Sequence, residues 1–202
     1  MNPFLRIIEI LVLVVLPLLI VYLRSSWTNK EIYINVIILP LLWYLFYAPI
    51  HELGHMLGCI IVGANITDYR LFAHFWEGSF GFAYVDVTGG LDVNMNSFII
   101  LILPYLLDLI SIVIGYYLLT RYKFKNSFLF GLVFLSFSVR PLYDLVDNSI
   151  GYFLNHSDFV LASQIVGGLL IFTFVIISII IGIALILLLL KKYKQYPDLV
   201  LE

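Results

Sequence analysis

The chain has 202 residues, of which 62% are hydrophobic and only 12% charged. So small a charged share, with a mean hydropathy of +1.05, excludes a soluble globular enzyme and points to a polytopic membrane protein. The net charge of −2 comes with no basic patch beyond loop clusters, so no nucleic-acid partner is expected, and the single cysteine, Cys59, excludes an intrachain disulfide.

Five apolar runs reach the roughly 20 residues that a spanning helix needs. They cover 4–23, 32–62, 98–119, 128–147 and 163–190. The fold class expected is therefore an all-α membrane bundle forming a single domain, with the lipid bilayer as its surroundings. The first run is too long for a signal peptide, and Arg24-Ser25-Ser26-Trp27 offers no small-residue cleavage site, so it is read as a helix.

The second run carries Pro49, which cannot donate to the carbonyl of Leu45, so a kink is expected there. Two residues later it reads His51-Glu52-Leu53-Gly54-His55. Two histidines four apart share a helix face, and both imidazoles can reach one Zn²⁺. Glu52 is then placed to take a proton from a zinc-bound water and to return it to a leaving amine. Ionisable groups in an apolar run are costly and argue for function. The bland alternatives are histidines lining a polar cavity or a proton relay. Gly54 and Gly58 are explained by close helix packing, and Cys59 by burial as a small hydrophobe.

The 63–97 loop holds a segment, 78–90, that alternates on period two between glycines and reads as a strand or hairpin. A lid is one role for it; the other is an edge at 78–88 on which a membrane-protein substrate adds a strand. His74, Trp76 and Glu77 in the same loop are read as lid or surface residues.

A catalytic zinc needs a third protein ligand, and the in-membrane aspartates Asp108, Asp144 and Asp147 compete for the place. Depth along the helices sets Asp144 and Asp147 level with His51, whereas Asp108 falls near the midplane. Arg140 stands one turn before Asp144, either as a plain salt-bridge partner or as a group steadying a ligating carboxylate. Asn148 is a candidate oxyanion donor or helix C-cap. His156 and Asp158, in the loop beyond, are read as solvated.

Basic residues set orientation. A cytoplasmic C-terminus, after Lys191, Lys192 and Lys194, puts eight of the eleven Lys and Arg inside and the N-terminus outside.

The His51-Glu-Leu-Gly-His55 helix, the strand-forming loop after it and the aspartate of Arg140-Pro-Leu-Tyr-Asp144 together resemble the site-2 protease family of intramembrane zinc metalloproteases. The resemblance covers about residues 32–150. It implies one Zn²⁺ held by His51, His55 and Asp144, with Glu52 as base, cleaving a peptide bond in or beside the bilayer. The chain departs from the family in lacking Leu-Asp-Gly; Leu142-Tyr-Asp144 and Val146-Asp-Asn148 are its nearest strings. Two other functions fit the same residues: a non-catalytic scaffold that keeps the fold, and a metal or proton transporter.

Overall fold

The structure is a computed structural model and describes residues 7, 8, 10–23, 28–72, 83–122, 124, 126–155 and 157–195. His74, Trp76, Glu77, the 78–82 part of the expected strand, and His156 lie outside the described residues. The described chain is mostly helical. In order, its elements are α1 (residues 10–22), α2 (Asn29–Trp43), α3 (Phe46–Val62), β1 (Ile66–Arg70), β2 (Tyr84–Val87), α4 (Met95–Arg121), α5 (Ser127–Phe153), α6 (Asp158–Val166) and α7 (Gly168–Gln195).

Among the described residues, three helices are long and apolar enough to cross a membrane: α4, α5 and the Gly168–Lys191 part of α7. The bent pair α2 and α3 raises the count to four. The sequence reading expected five. Among the described residues the first run contributes the helix Ile10–Val21, about 18 Å long against a hydrocarbon core of about 30 Å; residues 4–6 and 9 of that run lie outside the described residues. The break between α2 and α3 falls at residues 44–45, where Pro49 withholds its hydrogen bond from the carbonyl of Leu45. The expected kink is there.

Prolines shape the other helices too. Among the described residues, wide, π-type turns occur at Ile10–Val15, Tyr33–Ile38 and Leu135–Val139, and each ends two residues before a proline: Pro17, Pro40 and Pro141. The carbonyl four residues before each proline, which its ring crowds and cannot bond, lies inside the wide turn.

The chain forms two compact units. The first comprises Met1–Trp43, Asp108–Asp147 and Ile177–Glu202. Val14, Leu18, Phe134, Val139 and Tyr143 are fully buried there, and Trp43 meets Tyr143 edge to face at 5.0 Å. The second comprises Tyr44–Leu107 and Asn148–Ile176. Its core includes Cys59, Tyr105, Phe159, Ala162 and Ile171. Cys59 is thus a buried free thiol, as expected.

The β element of the 63–97 loop is an antiparallel two-stranded sheet, with Tyr69 opposite Val85 and Arg70 opposite Tyr84. The Tyr84 hydroxyl donates to Asp68 at 2.8 Å, and the Arg70 guanidinium lies over the Tyr84 ring at 5.6 Å.

α5 outruns its apolar stretch and ends at Phe153, so Asn148 sits within the helix and is not its C-cap. The left-handed residue after the helix is Asn155, at φ 55°, a conformation asparagine tolerates better than most. The chain then enters α6 at Asp158, and Gly167, at φ 96°, separates α6 from α7.

Candidate metal centre

All residues of this centre belong to the second unit. His51 and His55 are carried one turn apart on α3, and their rings meet edge to face at 4.7 Å. Their Nε2 atoms are 3.0 Å apart. The third member is Asp158, the first residue of α6. Its Oδ2 lies 3.3 Å from His51 Nε2 and 3.1 Å from His55 Nε2. Among the described residues, this is the group of histidine, cysteine and acidic side chains placed to hold a metal ion.

The triangle has a chemical meaning. Four ligands set tetrahedrally about 2.0–2.1 Å from a zinc ion lie about 3.3–3.4 Å from one another. Edges of 3.0, 3.1 and 3.3 Å match one face of that tetrahedron after a small expansion. The donor set, two imidazoles and a carboxylate, is also one that zinc takes in hydrolytic sites. The side chain of Asp158 keeps 28% of its exposure, so the open side of the triangle is not sealed.

Neighbouring groups orient these side chains. His55 Nδ1 lies 2.9 Å from the carbonyl oxygen of Ile100. A carbonyl only accepts, so Nδ1 carries the proton and the Nε2 lone pair is left for a metal. Asp158 Oδ2 accepts from the hydroxyl of Tyr105 at 2.8 Å. The Tyr105 ring, fully buried, stands 5.3 Å from the His51 ring and 4.3 Å from that of Phe159, the neighbour of Asp158. Burial alone would raise the Asp158 carboxyl, but the two imidazoles, when protonated in the metal-free chain, outweigh it and hold the group well below the usual carboxylate range.

Glu52 is buried on α3, next to His51 and three residues before His55. The other residues singled out in the sequence are placed differently. Asp108, Asp144, Asp147 and Arg140 belong to the first unit. Arg140 donates to Asp108 through Nη2, and its Nη1 is 3.8 Å from Asp144 Oδ2. All three of these side chains are buried. The salt bridge between Arg140 and Asp144, one of two readings of that spacing, is therefore present. Neither Asp144, Asp147 nor Asp108 is part of the group around His51 and His55. Asn148 belongs to the second unit, inside α5.

Asp158, expected to be solvated, keeps part of its exposure but also meets both histidines. The signal was faint but present: Ser157-Asp158 opens a helix, with Ser157 extended at the N-cap and Asp158 in the first turn. Depth reasoning ended the preceding helix where its apolar run ended. It thereby passed over acidic residues just beyond the membrane end of the chain's own candidate span.

No family model, curated protein or solved structure matches the chain. The functional reading therefore rests on these side chains.

Proposed function

We propose that the protein is an integral membrane zinc metalloprotease, in which His51, His55 and Asp158 hold one Zn²⁺ and Glu52 is the general base. The observation that carries this reading is the triangle of two Nε2 atoms and one carboxylate oxygen with edges of 3.0 to 3.3 Å beside a buried glutamate. It replaces Asp144, the ligand implied by the family resemblance, with Asp158. The resemblance in its His51-Glu-x-x-His55 element supports the reaction class.

A zinc ion there would acidify a bound water and polarise the scissile carbonyl. The chain's own residues do the rest. His55, anchored on the Ile100 carbonyl, presents its Nε2 lone pair, and His51, against the Tyr105 ring, brings its Nε2 to the same point. Glu52 receives the proton of the attacking water as the new C–O bond forms, then passes it to the amine nitrogen, whose C–N bond breaks as it departs. Tyr105 holds the Asp158 oxygen in place.

Membrane placement is supported by the exposed apolar faces of the long helices. Leu169, Ile180 and Leu187 on α7 are 81%, 60% and 59% exposed. Water does not favour such a surface; lipid does. The substrate we envisage is an extended segment of a membrane protein, paired along the hairpin that ends in β2. The orientation proposed, N-terminus outside and C-terminus cytoplasmic, follows the basic residues. In a Cys59→Ala background, cysteines placed at Ser79 and Asn126 should then label from opposite sides of the membrane; labelling from one side refutes the arrangement.

The reaction is tested with purified protein, a panel of single-span peptides and ¹⁸O-water. Hydrolysis places one ¹⁸O in the new C-terminal carboxylate, read by mass spectrometry. Glu52→Gln should retain stoichiometric zinc and lose about 10²–10⁴-fold in cleavage rate. Undiminished cleavage by Glu52→Gln refutes the enzymatic role. Zinc that moves across vesicles instead favours the transporter, and tight zinc without cleavage of any peptide favours the scaffold.

A further inference from the structure

We propose that Pro104 is a positioning residue for the metal centre: having no N–H to give the carbonyl of Ile100, it leaves that oxygen as the acceptor that locks His55 in its Nδ1–H tautomer. The inference rests on the reading of His51, His55 and Asp158 as a metal site.

In an α-helix the carbonyl of residue 100 accepts from the N–H of residue 104. In α4 residue 104 is proline. Its ring also crowds the carbonyl four residues back and pushes it off the helix axis. Three other prolines of this chain, Pro17, Pro40 and Pro141, have the equivalent carbonyl inside a wide turn. Pro104 does not: α4 runs as α-helix from Met95 to Arg121. Its orphaned acceptor goes to a side chain on another helix, His55 Nδ1, at 2.9 Å.

That reach requires the two backbones to touch, and two glycines of α3 permit it. A Cβ on Gly58 would stand 2.7 Å from the Ile100 Cα, and one on Gly54 would stand 2.8 Å from the Pro104 Cα. Pro104 and Ile100, one turn apart, thus pack directly on the His55 turn. The next residue, Tyr105, delivers its hydroxyl to Asp158. One turn of α4 therefore orients two of the three ligands. The opposite His55 tautomer would put an N–H on Nε2, aimed at His51 Nε2 and Asp158 Oδ2, and that nitrogen would have no lone pair for a metal.

The test separates the N–H from the ring. Pro104→Ala restores an N–H in a good helix former, so the fold should be kept. A backbone ester at position 104, carrying the methyl side chain of alanine but no N–H, is the matched control. Two readouts apply: the His55 tautomer in metal-free protein, from ¹⁵N shifts of labelled histidine, and zinc affinity by competition with a chelating dye. We expect Nδ1–H in the native chain. Pro104→Ala should populate Nε2–H and weaken zinc by about 10–100-fold. The ester should return both to near the native values. The proposal is overturned if Pro104→Ala changes neither readout, or if the ester is as defective as alanine. If the native chain binds no zinc yet its tautomer follows the same pattern, the metal reading fails and the tautomer lock stands.

Discussion

Two buried clusters of ionisable groups, one in each unit, use the same residue type to opposite ends. In the first unit, Asp108 and Asp144 flank the Arg140 guanidinium, and the carboxylates meet a cation that the chain itself supplies. In the second, Asp158 faces two imidazole nitrogens, one of them directed by the Ile100 carbonyl to present its lone pair. Two imidazole nitrogens and one carboxylate oxygen converge there within 3.0 to 3.3 Å, a group that could hold a metal ion. An aspartate in an apolar protein can thus face an arginine, as Asp108 and Asp144 do, or a pair of imidazoles, as Asp158 does. Asp144 has Arg140 one turn away.

The sharpest way to break this comparison is to exchange the two aspartates' fates by mutation. Asp158→Ala leaves two histidines, too few for a stable catalytic zinc, and the purified protein should fall from about one zinc per chain to almost none. Asp144→Ala should keep its zinc. Metal content by mass spectrometry decides it, and loss from the Asp144 variant alone would return that residue to the ligand set. Stability should respond in the reverse sense. Arg140→Met leaves Asp108 buried without its guanidinium, which should cost about 3–5 kcal/mol, while the double change Arg140→Met with Asp108→Asn should recover much of it. Zinc per folded molecule should be unmoved in both. Unfolding in graded denaturing detergent reads the difference, and an Arg140→Met protein as stable as the parent would mean the pair is solvated.

The smallest effect sharpens the second cluster. Tyr105→Phe removes the hydroxyl that donates to Asp158 but keeps the ring against His51 and Phe159. Zinc affinity should drop by about tenfold, the low end for loss of a ligand-orienting hydrogen bond, with little change in stability. Dye competition measures it. An unchanged affinity would show that Asp158 is held by packing on α6 alone.

Local chemistry was legible in the sequence. The pairing of His51 with His55 depends only on helical periodicity, and so does the spacing of Arg140 and Asp144. The break before Pro49 follows from one missing N–H. The strand signal in the 63–97 loop is a period-two pattern, and its described part appears as β2. The apolar runs set the helices, though the end of α5 escaped them, because hydropathy measures composition and a helix ends by capping and turn geometry. What only the tertiary structure decided was which groups from other elements reach the histidines: the Ile100 carbonyl, the Tyr105 hydroxyl and the Asp158 carboxylate. No periodicity links residues 55, 100, 105 and 158. They meet because glycines at 54 and 58 let α3 lie against α4, and because a left-handed turn at Asn155 precedes the start of α6, where Asp158 sits.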